Sequence, residues 1–230
     1  MTIRGILFDK DGTLLNYRKT WLPINREVAL FAAGGDTALA DELLRHGGHD
    51  PVSDEVASGS VLAVGSHDEI AAAFAVTLET RAQANLAQEI GRIFCEGGAK
   101  HSVLMDGVAE TITRLRHLGY CLGVATNDSA AGLCGSLGRH GLLDRFAFLA
   151  GCDSGFGVKP QPGMAHAFCD AVGLDPSAVA VIGDAVHDLE MGRRAGVGLK
   201  IGVLGGTSVR EDMAPHADII LDSLAGLMSN

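Results

Sequence analysis

The stretch Ile3-Arg4-Gly5-Ile6-Leu7-Phe8-Asp9-Lys10-Asp11-Gly12-Thr13-Leu14-Leu15 decides how the rest of the chain is read. An apolar run ends in two carboxylates two residues apart, followed at once by a turn-forming glycine and a hydroxyl. That order suits a buried strand that stops at a sheet edge and hands Asp9 and Asp11 to the loop beyond. Taken alone, an Asp-x-Asp-Gly string fits a solvated turn equally well. The segments downstream separate the two readings.

Short apolar runs recur at residues 120–125, 146–150, 178–182, 199–204 and 218–221. Each reads as a buried strand. Residues 106–118 carry Val108, Ile112, Leu115 and Leu118 at helical spacing, with Gly119 as the stop. Residues 129–140, 162–172 (proline in its first turn) and 187–195 also read as helices. Nearly continuous apolar strands alternating with helices predict an α/β fold with a parallel sheet covered on both faces. Ligands in such sheets bind beyond the carboxyl ends of the strands.

Residues 16–95 break this rhythm. They hold alanine- and leucine-rich stretches at 37–46 and 69–93, with Gly34-Gly35 and Gly47-Gly48 as turns between helices. The expectation is an all-helical insert that leaves the core after the first strand and returns near Gly97-Gly98. The core is then residues 1–15 and 96–230.

Composition excludes several classes. At 230 residues, 47% hydrophobic and 20% charged, the chain is long and apolar enough to bury a substantial core. A formal charge of -10 argues against a nucleic-acid surface. No apolar run is long enough to span a membrane, and Asp9 and Asp11 interrupt any N-terminal signal. Five scattered cysteines without a Cys-x-x-Cys pair suggest a reducing, cytoplasmic setting, with most of the thiols as small core residues. Monomer and homodimer both stay open.

The strand ends decide the matter. The first delivers Asp9 and Asp11; the second, Thr126-Asn127-Asp128; the third, a glycine-rich loop reaching Lys159-Pro160; the fourth, Gly183-Asp184-Ala185-Val186-His187-Asp188. Carboxylates, a hydroxyl, an amide and an ammonium therefore meet at one sheet edge. They suit phosphoryl transfer from a monoester. A carboxylate attacking a phosphate dianion needs positive charge to screen it, from Lys159 and from a cation such as Mg²⁺, which prefers oxygen ligands. A second carboxyl can move the protons.

In these motifs the chain resembles the haloacid dehalogenase superfamily, and within it the capped phosphatases, phosphoglycolate phosphatases above all. The resemblance covers residues 1–15 and 98–222. It implies a Rossmann-like catalytic core with a helical cap, and hydrolysis of a small phosphorylated metabolite through an aspartyl-phosphate. It further implies Asp9 as nucleophile and Asp11 as general acid/base, with Thr126, Asn127 and Lys159 binding the phosphate. Mg²⁺ would be held by Asp9, the Asp11 carbonyl and Asp184, with Asp188 as a fourth, outer acid. A phosphomutase of the same superfamily and a phospho-accepting signalling module are the alternative readings.

Other features receive plainer readings. Arg18 and Lys19, beside Trp21, are expected to meet the polar far end of the substrate or to form a solvated hinge. His46 and His49 lack a third metal ligand, His187 reads as a partly exposed residue at a helix start, and Gly155-Phe156-Gly157 reads as a turn bringing Lys159 inward. Cys152 lacks the arginine a cysteine phosphatase needs, and no Gly-x-Ser-x-Gly elbow occurs. Gly205-Gly206-Thr207 is a loop without an assigned role.

Overall fold

The computed structural model describes residues 2–79 and 85–228. Strand β1 (Gly5–Phe8) is followed by helices α1 (Tyr17–Ala32) and α2 (Thr37–His46), and by a hairpin of β2 (His49–Asp50) and β3 (Glu55–Val56). Helices α3 (Val61–Val64), α4 (His67–Leu78), α5 (Leu86–His101) and α6 (Val108–His117) come next. The chain then alternates β4 (Cys121–Ala125), α7 (Ala130–Gly138), β5 (Phe148–Ala150), α8 (Gly163–Val172), β6 (Val179–Gly183) and α9 (Val186–Ala195). It ends with β7 (Leu199–Val203), α10 (Arg210–Met213) and β8 (Ile219–Leu221).

Six parallel strands form the sheet in the order β5-β4-β1-β6-β7-β8. The period-2 alternation of β1 explains its central place. Ile6 and Phe8 pack with Val108, Ile112 and Leu133 on one face, while Leu7 packs with Met164 and Phe168 on the other. The order is that of a Rossmann-type sheet, and it reverses between β1 and β6, where the crevice for a ligand opens. The strands begin and end within two residues of the expected limits. Pro162 stands just before α8 rather than in its first turn.

Residues 17–101 build a second apolar cluster of their own, in which Val28, Leu43, Phe74 and Ile90 are fully buried. Asn16 starts α1 by accepting the Lys19 N–H on its side chain, and Ser66 with Glu69 starts α4 as a capping box. Two expectations need correction. The insert is not all helical, because Asp50 accepts from Val52 N–H and the Ser53 hydroxyl, folding residues 50–54 into a turn that pairs β2 with β3. Gly97-Gly98 is not the exit from the insert but lies inside α5, which runs on to His101. A Cβ at Gly97 would stand 2.8 Å from Ile24 Cδ1, and one at Gly98 3.1 Å from Trp21 Cη2. The glycines let α1 and α5 approach closely.

The thiols also differ from expectation: only Cys169 is buried and Cys134 is exposed. Among the described residues, no helix is long and apolar enough to cross a membrane.

Candidate active site

Parallel pairing places the ends of β1, β4, β5 and β6 along one edge. Phe8 stands beside Val124 and Ile182, and Ala125 beside Ala150. The residue after each strand therefore emerges on the same side. Asp9 is pinned there by its N–H, which donates to Ile182 O at 2.8 Å, and Thr126 by its N–H to Ala150 O at 3.0 Å.

Lys159 arrives from the loop after β5. Gly155 and Gly157 take positive φ values of 85° and 80°, which turn that loop inward as the sequence suggested. Asn127 then clamps the lysine backbone, accepting its N–H at 2.9 Å and donating to its carbonyl at 3.3 Å. The ammonium is buried and donates to Asp9 Oδ1 at 2.5 Å and to Asp188 Oδ1 at 2.6 Å. Asp188 Oδ2 also accepts the Ala185 N–H at 3.1 Å, so this residue both starts α9 and anchors Lys159.

Glycines make room for Asp184. Gly12 has φ +81°, and a Cβ there would lie 2.6 Å from Asp184 Cγ; one at Gly206 would lie 1.6 Å from Asp184 Oδ2. The Gly205-Gly206-Thr207 loop thus has a role: it packs against the acid, and Thr207 faces the same cavity.

Asp9, Asp11, Thr126, Asn127, Lys159 and Asp184 line one cavity between the sheet edge and the insert, and His187 joins its wall. Asp188 stands behind Lys159. Arg18 is not brought to the cavity; its guanidinium donates to Asp54 O at 2.9 Å on an exposed face. Two imidazoles of the insert are engaged away from the cavity: His46 Nδ1 pairs with Thr77 Oγ1, and His49 Nε2 lies 3.1 Å from Asp54 Oδ1.

A second network escaped the sequence reading. Lys10, fully buried, lies with Nζ 2.7 Å from Asp128 Oδ2, 3.0 Å from Asp11 Oδ2 and 4.7 Å from the Trp21 ring centroid. Trp21 Nε1 donates to Asp11 Oδ1 at 2.7 Å. A lysine between two aspartates reads in sequence as a solvated turn residue. Only the fold reveals its partner, 118 positions away.

Burial dominates the electrostatics. It pushes the Asp9 carboxyl up to about 7, with Lys159 opposing and Asp188 and Asp11 adding to the rise. Burial also raises Asp184 well above the usual range, and the Asp9 charge raises it further. Burial opposes ionisation of Asp188 too, but His187 and Lys159 outweigh it and hold this acid low. One lysine cannot hold three buried acids ionised, so Asp9 and Asp184 lean to the neutral form. Asp9, Asp184 and Asp188 each offer one oxygen, all within 4.8 Å of one another. That hard-oxygen set, whose acids a cation would let ionise, fits a divalent cation.

The comparisons with known proteins agree with this geometry. Residues 3–196 match the haloacid dehalogenase-like hydrolase family. An N-acetylmuramic acid 6-phosphate phosphatase of Pseudomonas aeruginosa is 31% identical over 224 residues, covering 96% of this chain and 92% of that protein. A phosphoglycolate phosphatase of Vibrio vulnificus is 27% identical over 231 residues, covering 98% and 95%. Among solved structures, one described as a predicted phosphoglycolate phosphatase from Haemophilus somnus superposes with a TM-score of 0.76 at 22% identity, covering 99% and 97%. With its Asp-x-Asp pair, its strand-end lysine and its acidic trio at one sheet edge, the chain belongs to the haloacid dehalogenase-like hydrolases.

Proposed function

We propose that this protein is a Mg²⁺-dependent phosphatase that hydrolyses a small phosphomonoester through an aspartyl-phosphate on Asp9. The observation that carries this reading is the buried contact of Asp9 Oδ1 with Lys159 Nζ, beside Asp184 and Asp188. An ammonium and three acids in a buried site suit a carboxylate that attacks an anionic group. The relatives' names point the same way.

In the first step, an Asp9 carboxylate oxygen bonds to phosphorus while the bond to the leaving oxygen breaks. Asp11, which lines the same cavity, gives that oxygen its proton. In the second step a water oxygen bonds to phosphorus, Asp11 takes the water proton, and the Asp9–phosphorus bond breaks to release phosphate. Lys159 holds Asp9 in place and offsets charge on the phosphate oxygens, and the hydroxyl of Thr126, which lines the same cavity, donates to one of them. Asp9, Asp184 and the Asp11 carbonyl would hold Mg²⁺, with Asp188 behind them. The ion would neutralise phosphate charge and help keep Asp9 ionised. Residues 17–101 act as a cap whose closure excludes water from the first step. The free cysteines suit a reducing cytoplasm.

A panel of phosphomonoesters assayed with Mg²⁺, with EDTA and with Asp9→Asn tests the reading. Hydrolysis should depend on the metal and vanish in the variant. An Asp9→Asn enzyme retaining a tenth of the activity would rule out the covalent route. Isomer formation from a sugar phosphate without phosphate release would assign a mutase instead.

A further inference from the structure

The wall of the cavity facing the catalytic groups comes from the insert, and one face of α1 supplies much of it. Tyr17, Trp21 and Asn25 follow at intervals of four, so they stack on a single side of the helix. Two of the three are engaged. The Tyr17 hydroxyl donates to Leu62 O at 2.7 Å, and Trp21 donates to Asp11. Asn25 is fully buried; the Tyr17 hydroxyl lies near it but gives its proton to Leu62 O, and among the described residues neither Asn25 Oδ1 nor Nδ2 has a partner at hydrogen-bonding geometry. Leaving a buried polar group unpaired is costly. Such a group facing a cavity is accounted for when something entering the cavity completes it.

The rest of this wall is apolar. Leu62, Ile70 and Phe94 line it, and Phe94 stacks against His67 with centroids 5.4 Å apart. Among the described residues the lining holds no arginine, and its lysine is bound to Asp9 and Asp188. Lys10 is bound to Asp11 and Asp128, while Arg18 lies outside. The imidazoles face carboxylates, His67 at 3.9 Å from Asp128 and His187 at 3.4 Å from Asp188. Among the described residues, no free cation waits there for a second anionic group on the substrate.

Resting on the phosphatase reading, we propose that Asn25 reads the leaving group, and that the leaving group is uncharged and sugar-like. Its hydroxyl or amide groups offer a donor and an acceptor to the Asn25 amide, and its C–H face lies against Trp21, Leu62 and Phe94. A carboxylated leaving group, as in phosphoglycolate, is disfavoured because its charge would be desolvated without a partner.

The test compares kcat/KM for glucose 6-phosphate, N-acetylglucosamine 6-phosphate, phosphoglycolate and p-nitrophenyl phosphate, in the wild type and in Asn25→Leu, an apolar residue of similar size. The wild type should favour the better of the two sugar phosphates over phosphoglycolate by at least about tenfold. In Asn25→Leu the ratio of that sugar phosphate to p-nitrophenyl phosphate should fall by at least about tenfold. A merely structural role lowers both substrates alike and leaves the ratio unmoved, which would overturn the proposal. So would a wild type that prefers phosphoglycolate. If Asn25→Leu does not fold, Asn25→Ala gives the same ratio. A wild type that turns over none of the four, p-nitrophenyl phosphate included, refutes the phosphatase reading itself.

Discussion

Trp21 Nε1 donates to Asp11 Oδ1 at 2.7 Å, so one bond joins the first helix of the insert to the carboxylate that we assign to proton transfer. Lys10 holds the other oxygen of the same carboxylate at 3.0 Å. Asp11 is therefore gripped from both sides of the cavity, and its orientation depends on the insert being seated.

Replacing Trp21 by Phe keeps most of the buried ring and removes the donor. A hydrogen bond to a charged group contributes about 1.5–3 kcal/mol. If Asp11 needs that bond to face the leaving oxygen, kcat should fall roughly ten- to a hundredfold, with a smaller change in KM. Steady-state kinetics on p-nitrophenyl phosphate check this. A kcat within twofold of wild type would mean that Trp21 only packs against Phe94, whose ring centroid is 5.8 Å away.

Lys10→Met should be a stability mutation first. Burial opposes the Lys10 charge, but Asp11 and Asp128 outweigh it and hold the ammonium above its ordinary range. Removing one member of a buried ion pair strands the others, at about 3–5 kcal/mol. For a chain of this size, Tm should fall by roughly 10 °C. The double variant Lys10→Met/Asp128→Asn removes the stranded charge as well and should recover part of the loss. Additive losses in thermal melts would show that Lys10 and Asp128 are not coupled.

The contrast between these residues shows what a sequence can reveal. Asp9, Thr126, Lys159 and Asp184 each stand just after an apolar run or its loop, so parallel pairing alone brings them together. Lys10 and Asp128 depend on side-chain direction across two strands, and nothing local to either announces the pair. Asn25 sits mid-helix, where a polar residue reads as a solvent face, and only packing shows it to be buried. Gly97-Gly98 reads in sequence as the return from the insert because glycine punctuates chains. Its use here, letting Ile24 and Trp21 approach α5, is a tertiary fact.

Without metal, the pH dependence of stability should carry the mark of Asp9. Its carboxyl lies at about 7 in the folded state against 3.8 in the unfolded one. Between those values the folded state binds the extra proton, so stability falls as pH rises through the window from about 4 to 7. Asp184, also raised, acts in the same sense. Each raised group contributes up to about 1.4 kcal/mol per pH unit. Melts in EDTA from pH 5 to 8 should show a wild-type Tm that declines with pH and an Asp9→Asn variant that declines less. Adding Mg²⁺ should restore the wild type most at the alkaline end. Parallel curves for the two proteins would show that Asp9 is ionised in the folded, metal-free state throughout.

Gly206→Ala probes the cradle around Asp184. The position has no positive φ, so alanine suits the backbone, but its Cβ would stand 1.6 Å from Asp184 Oδ2. The carboxylate has to turn away, and with it one corner of the acidic trio. Displacing a metal ligand's support typically weakens binding about 10–100-fold. The Mg²⁺ concentration giving half the maximal thermal shift should rise by about tenfold or more. The fold without metal should change little, because the clash falls on a side chain at the cavity rather than in either apolar cluster. A half-saturating Mg²⁺ concentration within twofold of wild type would remove Asp184 from the proposed ligand set, leaving Asp9 and the Asp11 carbonyl with Asp188 behind them.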